Sequence, residues 1–249
     1  MGSRLRTWLP WIVLGVLGLG PVLACILLGS APFDFERGLK SAPDWSRGLP
    51  VGSGFYGTDS GAPVVVDDQG RVHMVWGMRR SAEEHDLRYL RLDDRGVVEE
   101  ERDLNTGLYE PRKVKLILGR DGSMDVFLLA LEDRGEPSSL FRLRLGRDGR
   151  SIQGPSLVSS GTAPCHEYTV AAEFPGTLHV FWTEGIGSER DLYYVKLPED
   201  RGEPEVAIAL GGGVSGPVAR ADSTDRIHLL WEEPGDDEES AELYPVSYT

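Results

Sequence analysis

The 249-residue chain carries 40 acidic against 26 basic residues, a formal charge of −14, with 31 glycines, 16 prolines and two cysteines. That length suits one domain or one domain with an appendage, and Cys25 and Cys165 alone cannot build a disulfide framework or a cysteine-rich zinc site. The acidic balance excludes a general affinity for nucleic acid, because phosphate binding needs clustered Lys and Arg, and a 40% hydrophobic content excludes a disordered chain.

Residues 1–31 form the first compositional unit. Trp8 to Ala31 holds no charge, with Arg4 and Arg6 before it and Asp34 and Glu36 after it. A helix of that length reaches about 36 Å, enough to cross a hydrocarbon core of about 30 Å. The leading arginines place the amino terminus in the cytoplasm and the remainder outside. The expectation is therefore a single-pass anchor in the plasma membrane, contacting lipid through residues 8–31. Two alternatives export the same domain. Val22-Leu23-Ala24 offers a small residue at a signal-peptidase site, and Cys25 could be acylated as in a lipoprotein. Residues 32–60 read as a linker that includes an extended segment, Asp44 to Gly52.

From residue 61 onward one phrase recurs: Arg71-Val-His-Met-Val-Trp76, Ser123-Met-Asp-Val-Phe-Leu128, Thr177-Leu-His-Val-Phe-Trp182 and Arg226-Ile-His-Leu-Leu-Trp231. The copies lie 52, 54 and 49 residues apart, a period that signals a β-repeat array or a propeller. A proline opens an extended segment before each copy, at Pro63, Pro111, Pro164 and Pro217, and an Asp- or Gly-rich turn then leads into the phrase. An alternating strand follows each copy: Leu87 to Leu92, Leu140 to Leu145, Leu192 to Leu197 and Leu243 to Tyr248. A more polar fourth strand follows in three repeats, at Val97 to Leu104, Ser151 to Val158 and Glu203 to Leu210. Each repeat predicts a four-stranded antiparallel meander, one propeller blade. The fold class is therefore all-β, a four-bladed β-propeller behind a single transmembrane helix, with blades near 61–106, 107–160, 161–213 and 214–249. The last repeat ends at Thr249 without an outer strand. Asp44 to Gly52 can supply it and close the ring, which protects an edge that would otherwise aggregate. An open half-ring paired with another chain is the alternative.

The pattern of Pro, apolar strand, Asp-Gly turn, His-x-x-Trp strand and Tyr-rich strand resembles the repeats of sialidase-like β-propellers, those with bacterial neuraminidase repeats, over Gly61 to Thr249. The resemblance implies a propeller and raises glycan hydrolysis as an activity.

The individual residues point to structure more than to chemistry. His73, His179 and His228 share one repeat position, with Asp125 in the remaining copy. Their rotation about a ring axis separates them too far for a shared metal with ligand distances near 2 Å, so no metal or cofactor is expected. Each imidazole is expected to bond the backbone of a neighbouring blade. Trp76, Trp182 and Trp231 are expected to fill the space between blades. The acidic run Glu232 to Ser240 reads as a solvated loop. Most arginines lie in turns such as Asp94-Arg-Gly96, and no catalytic constellation stands out. No catalytic or ligand-binding residue is assigned. The expected function is a non-catalytic binding or scaffold module, with a protein partner, in a membrane-associated assembly. The alternative is a sialidase-like glycan hydrolase or a glycan-binding lectin. The excess of Arg over Lys fits a bacterial source.

Overall fold

The computed structural model divides the chain into two units, Met1–Gly52 and Ser53–Thr249. It describes residues 62–79, 81, 85–173, 176–198, 208–234 and 241–248, all in the second unit. The expected membrane segment at residues 8–31 and the expected closing strand at Asp44 to Gly52 lie outside the described residues. Among the described residues no helix is long and apolar enough to cross a membrane.

The second unit is all-β and is built from four antiparallel sheets. The first contains β1 (Val64–Val66), β2 (Val72–Arg79), β3 (His85–Leu92) and β4 (Val98–Asp103) in chain order. The second contains β5 (Tyr109–Leu118), β6 (Met124–Leu131), β7 (Ser139–Leu145) and β8 (Ser151–Leu157), and the third β9 (Cys165–Glu173), β10 (Thr177–Ile186), β11 (Glu189–Leu197) and β12 (Ile208–Gly212). The fourth shows three strands among the described residues, β13 (Ser215–Ala221), β14 (Ile227–Pro234) and β15 (Ala241–Tyr248). Sequential meanders of this kind are consistent with a four-bladed propeller.

The turns that reverse the chain use side-chain oxygens to replace lost ladder bonds. Asp67 Oδ1 accepts from the backbone N–H of Gln69 and Arg71, each at 2.9 Å, and Gly70 takes the left-handed φ of 75° that the tight turn requires. Asp222 does the same for Thr224 and Arg226 at 2.7 and 3.1 Å, with Asp225 itself at φ 61°. Asp93 holds Arg95 and Val97 between the third and fourth strands of the first sheet.

Strand alternation then assigns each second strand two faces. The tryptophan position faces the preceding sheet and the histidine position faces the following one. Val75, Leu87 and Tyr89 of the first sheet pack on Val126, Leu128 and Phe141 of the second. Phe127, Leu129 and Leu140 pack on Val180, Trp182 and Val195 of the third, and Phe181 and Leu192 pack on Leu229 and Trp231 of the fourth. Trp182 and Trp231 fill the space between sheets as expected, exposed by 1% and 8%. On the back face of the first sheet Trp76, Met78, Leu90 and Leu92 are buried too, although they join none of these three cores.

The first strand of each sheet has one side with no ladder partner. On β9 and β13, side chains from a neighbouring first strand bond that side. Lys113 and Lys115 of β5 donate to the carbonyls of His166 and Tyr168 on β9, at 3.3 and 3.1 Å. On β13, the N–H of Gly216 donates to Glu167 Oε2 at 2.6 Å and that of Ala219 to Thr169 Oγ1 at 3.2 Å. Such bonds protect the edges and fix the spacing of the inner strands.

Candidate functional site

The hairpins that join first to second strands converge on a cavity of about 340 Å³. Its wall comes from three successive sheets. The second sheet gives Ile117, Arg120, Asp125, Arg142 and Arg144; the third gives Glu173 and Leu178; the fourth gives Ala221, Asp222 and Asp225. Its polar groups are thus four carboxylates and three guanidinium groups, mixed with a few apolar side chains. Concave sites with few, well-placed polar groups are where small ligands bind.

Asp125, Arg142, Glu173 and Asp222 are held by networks that recur from sheet to sheet, with a counterpart in the first sheet. In the first sheet His73 Nε2 lies 3.3 Å from Asp67 Oδ2 and its Nδ1 lies 2.8 Å from the Tyr89 hydroxyl. One neutral tautomer satisfies both: Nε2–H donates to the carboxylate, and Nδ1 accepts from the phenol. The third sheet repeats the arrangement, with His179 between Glu173 at 2.7 Å and Tyr194 at 2.9 Å. In the fourth, His228 meets Asp222 at 2.9 Å, and the position of the tyrosine is occupied by Pro245, which pairs with Leu230. The second sheet changes both partners together. Asp125 stands at the histidine position and Arg142 at the tyrosine position, and they form a 2.8 Å ion pair. These imidazoles therefore bond side chains of their own sheet, which corrects the expected bonds to neighbouring backbone. The reason is geometric: a carboxylate six residues earlier on the first hairpin and a phenol on the third strand both lie within reach of the ring, so no distant carbonyl is needed.

Charges in these networks are shifted accordingly. Burial opposes ionisation of Asp67, but the side chain and N–H of Arg71, the N–H of Gln69 and His73 outweigh it and hold the carboxyl well below its usual range. The hydrogen bond from His228, with those from Thr224, likewise lowers Asp222. Burial lowers His73, and Asp67 offsets only part of that. Arg144 donates to Ser123 Oγ at 2.7 Å and lies 3.2 Å from Asp121.

Of the arginines that reach the cavity, Arg120 is a turn residue, whereas Arg142 and Arg144 are not among the turn arginines that dominate the sequence. Arg142 and Arg144 sit two apart on β7, inside an alternating strand, and so share a face. The signal that could have found them is the exchange of His and Tyr for Asp and Arg in one repeat only. Of the acidic run Glu232 to Ser240, Glu232 and Glu233 do not line the cavity, and residues 235–240 lie outside the described residues. Cys165 is buried, and burial pushes its thiol far above its ordinary value, the state of an inert cysteine. Among the described residues no group of His, Cys, Asp and Glu is arranged to hold a metal ion.

No protein-family model matches the chain. No curated protein matches it in sequence. Solved structures do match in fold. A polysaccharide lyase, an ulvan lyase, superposes with a TM-score of 0.53 at 11% identity over 75% of this chain and 55% of its own. A protein of unknown function from Dyadobacter fermentans gives 0.51 at 12% identity, over 74% and 64%. An endo-arabinase from Bacteroides thetaiotaomicron gives 0.47 at 13%, over 80% and 78%. The chain thus spans about half the length of the ulvan lyase it matches. The resemblance to sialidase-like repeats holds at the level of the β-propeller fold, and no sialidase family match accompanies it. The expected non-catalytic scaffold is corrected by the ulvan lyase match, which is to a glycan-processing enzyme. At these identities the likeness shows a propeller fold.

Proposed function

We propose that the propeller is glycan-active, a sialidase-like glycan hydrolase or glycan-binding lectin whose carbohydrate site is the cavity between the first hairpins of the second, third and fourth sheets. One observation carries the reading. Carboxylates and guanidinium groups from three separate sheets converge on a concavity of sugar size, and they are pre-positioned by hydrogen bonds within each sheet. Such groups match the donors and acceptors of sugar hydroxyls without reorganising on binding. The fold likeness to an ulvan lyase, a polysaccharide lyase, supports this reading. Hydrolysis would need two carboxylates working as acid and as nucleophile or base. Asp125 and Glu173 are the pair to examine, since they line the cavity from two successive sheets.

The test is a panel of soluble plant, algal and bacterial polysaccharides, read by binding and by release of reducing ends or unsaturated products. Binding that Arg144→Ala weakens tenfold or more supports the site, and product release abolished by Asp125→Asn or Glu173→Gln makes it an enzyme. Neither binding nor turnover across the panel would remove the glycan reading. The leading apolar segment at residues 8–31 supports an exported, membrane-anchored placement of this domain. Protease added outside intact cells should digest the propeller, and complete protection would reverse that topology.

A further inference from the structure

We propose that the cavity takes an uncharged saccharide and rejects carboxylated or sulfated ones. This inference rests on the glycan reading above and names the ligand class of the same site. Among the described residues, three guanidinium groups meet four carboxylates on the cavity wall, and the guanidinium groups are already committed. Arg142 Nε donates to Asp125 Oδ1 at 2.8 Å, and Asp125 is itself buried. Arg144 donates through Nε and Nη2 to Ser123 Oγ at 3.0 and 2.7 Å, and through Nη2 to Asp121 Oδ2 at 3.2 Å. Arg120 and Asp225 are engaged as well. An anionic substituent needs a cation that can turn towards it and replace its hydration shell. Here a guanidinium that turned to such a ligand would strand a carboxylate behind it, at Asp125 a buried one, which is strongly unfavourable.

The carboxylates act in the same direction. Glu173 Oε2 meets His179 at 2.7 Å, with Lys196 at 4.0 Å. Asp222 Oδ1 accepts from the N–H and hydroxyl of Thr224, each at 2.7 Å, and its Oδ2 meets His228 at 2.9 Å. A neutral imidazole holds a carboxylate by a hydrogen bond without cancelling its charge. The wall therefore carries one carboxylate more than it carries guanidinium groups, in a chain of formal charge −14. A uronate, sulfate or sialyl group would meet that surplus as repulsion. Pairing does not close the same groups to hydroxyls. A guanidinium has five N–H donors and a carboxylate has about four acceptor sites, so a pair joined by one bond, as Arg142 is to Asp125, keeps both kinds of group for a ligand. A sugar hydroxyl donates and accepts at once and can bridge such a pair. Ile117, Leu178 and Ala221 add apolar surface for the C–H face of the ring.

The test compares glycans that differ only in charge, by isothermal titration calorimetry on the full chain. Each neutral polysaccharide is paired with itself after oxidation of its primary hydroxyls to carboxylates, and each acidic one with itself after carboxyl reduction or desulfation. The expected result is that a neutral member binds and its acidic counterpart binds at least about tenfold more weakly. Methyl esterification of the oxidised polymer, which removes the charge and keeps the added group, should restore the affinity. Glu173→Gln, which removes one carboxylate charge and keeps the shape, should narrow the neutral-over-acidic ratio by about threefold or more. Asp125→Asn, which leaves the charge of Arg142 uncompensated, should narrow it as well. Acidic members that bind as tightly as their neutral counterparts, or more tightly, overturn the inference while the glycan reading stands. An ester as weak as the acid, or a ratio unchanged in both variants, assigns the discrimination to shape and overturns it too. Absence of binding by every member removes the glycan reading and this inference with it.

Discussion

The three histidines show how one repeated residue takes its role from its partners. His73 is fully buried between a carboxylate and a phenol, whereas His228 is half-exposed and has no tyrosine at the matching position. A buried neutral histidine binds its proton less readily than it does in the unfolded chain, so the unfolded state gains protons first as pH falls. Stability linked to His73, and to His85, which burial also lowers, is therefore present above about pH 6.5 and lost below it. The lowered Asp67 adds a second loss below about pH 4. Urea midpoints should fall in these two windows, and His73→Gln should flatten the upper one; a constant midpoint between pH 8 and pH 5 would contradict the assignment. Gly149 is a second residue with a specific demand. Its φ is 73°, and a Cβ there would come within 2.0 Å of the Tyr89 ring. Gly149→Ala should cost about 3 kcal/mol, because left-handed strain and displacement of a buried ring add. Gly107→Ala, at the same φ but facing open space, should cost about 1 kcal/mol in the same denaturation experiment.

At the scale of elements, the second strands do the joining. Trp182 lies against Phe127 and Leu140 of the preceding sheet while its indole N–H donates to Glu184 at 3.0 Å. Glu184 is itself buried and also accepts from the backbone N–H and the hydroxyl of Ser160, so the tryptophan ties a strand to the loop that enters the third sheet. Trp182→Ala should remove about 3–5 kcal/mol through the cavity it leaves. The urea midpoint should drop with little change in slope, as expected when the surface exposed on unfolding is retained. A loss below about 1 kcal/mol would mean that the sheets pack independently of this contact. The elements also explain why the cavity was hard to read. Arg142 and Arg144 belong to an ordinary amphipathic strand. Only the packing of β7 against the third sheet turns that face into a wall.

At the scale of the molecule, the first and fourth sheets are the two ends of a row of sheets packed face to face. The back face of the first sheet is buried at Trp76 and Leu90, while Val64 and Val66 on β1 and Val218 on β13 stay half-exposed. Deleting residues 40–53 tests the sequence-based expectation that Asp44 to Gly52 acts as a ring-closing strand: the expected outcome is oligomers by light scattering after size exclusion, and a monomer of unchanged stability would contradict it.

The sequence by itself determined the repeat, the meander within each sheet and the filler role of Trp182 and Trp231. These follow from period-two patterning and turn chemistry, which act over a few residues. It did not determine the partners of His73 and His179, because a carboxylate six residues before and a phenol fifteen or sixteen residues after become neighbours only once three strands are in register. Nor could it show that Arg142, Glu173 and Asp222 line one cavity. They are brought together by packing one sheet on the next, and contacts across sheets leave no periodic trace in the chain.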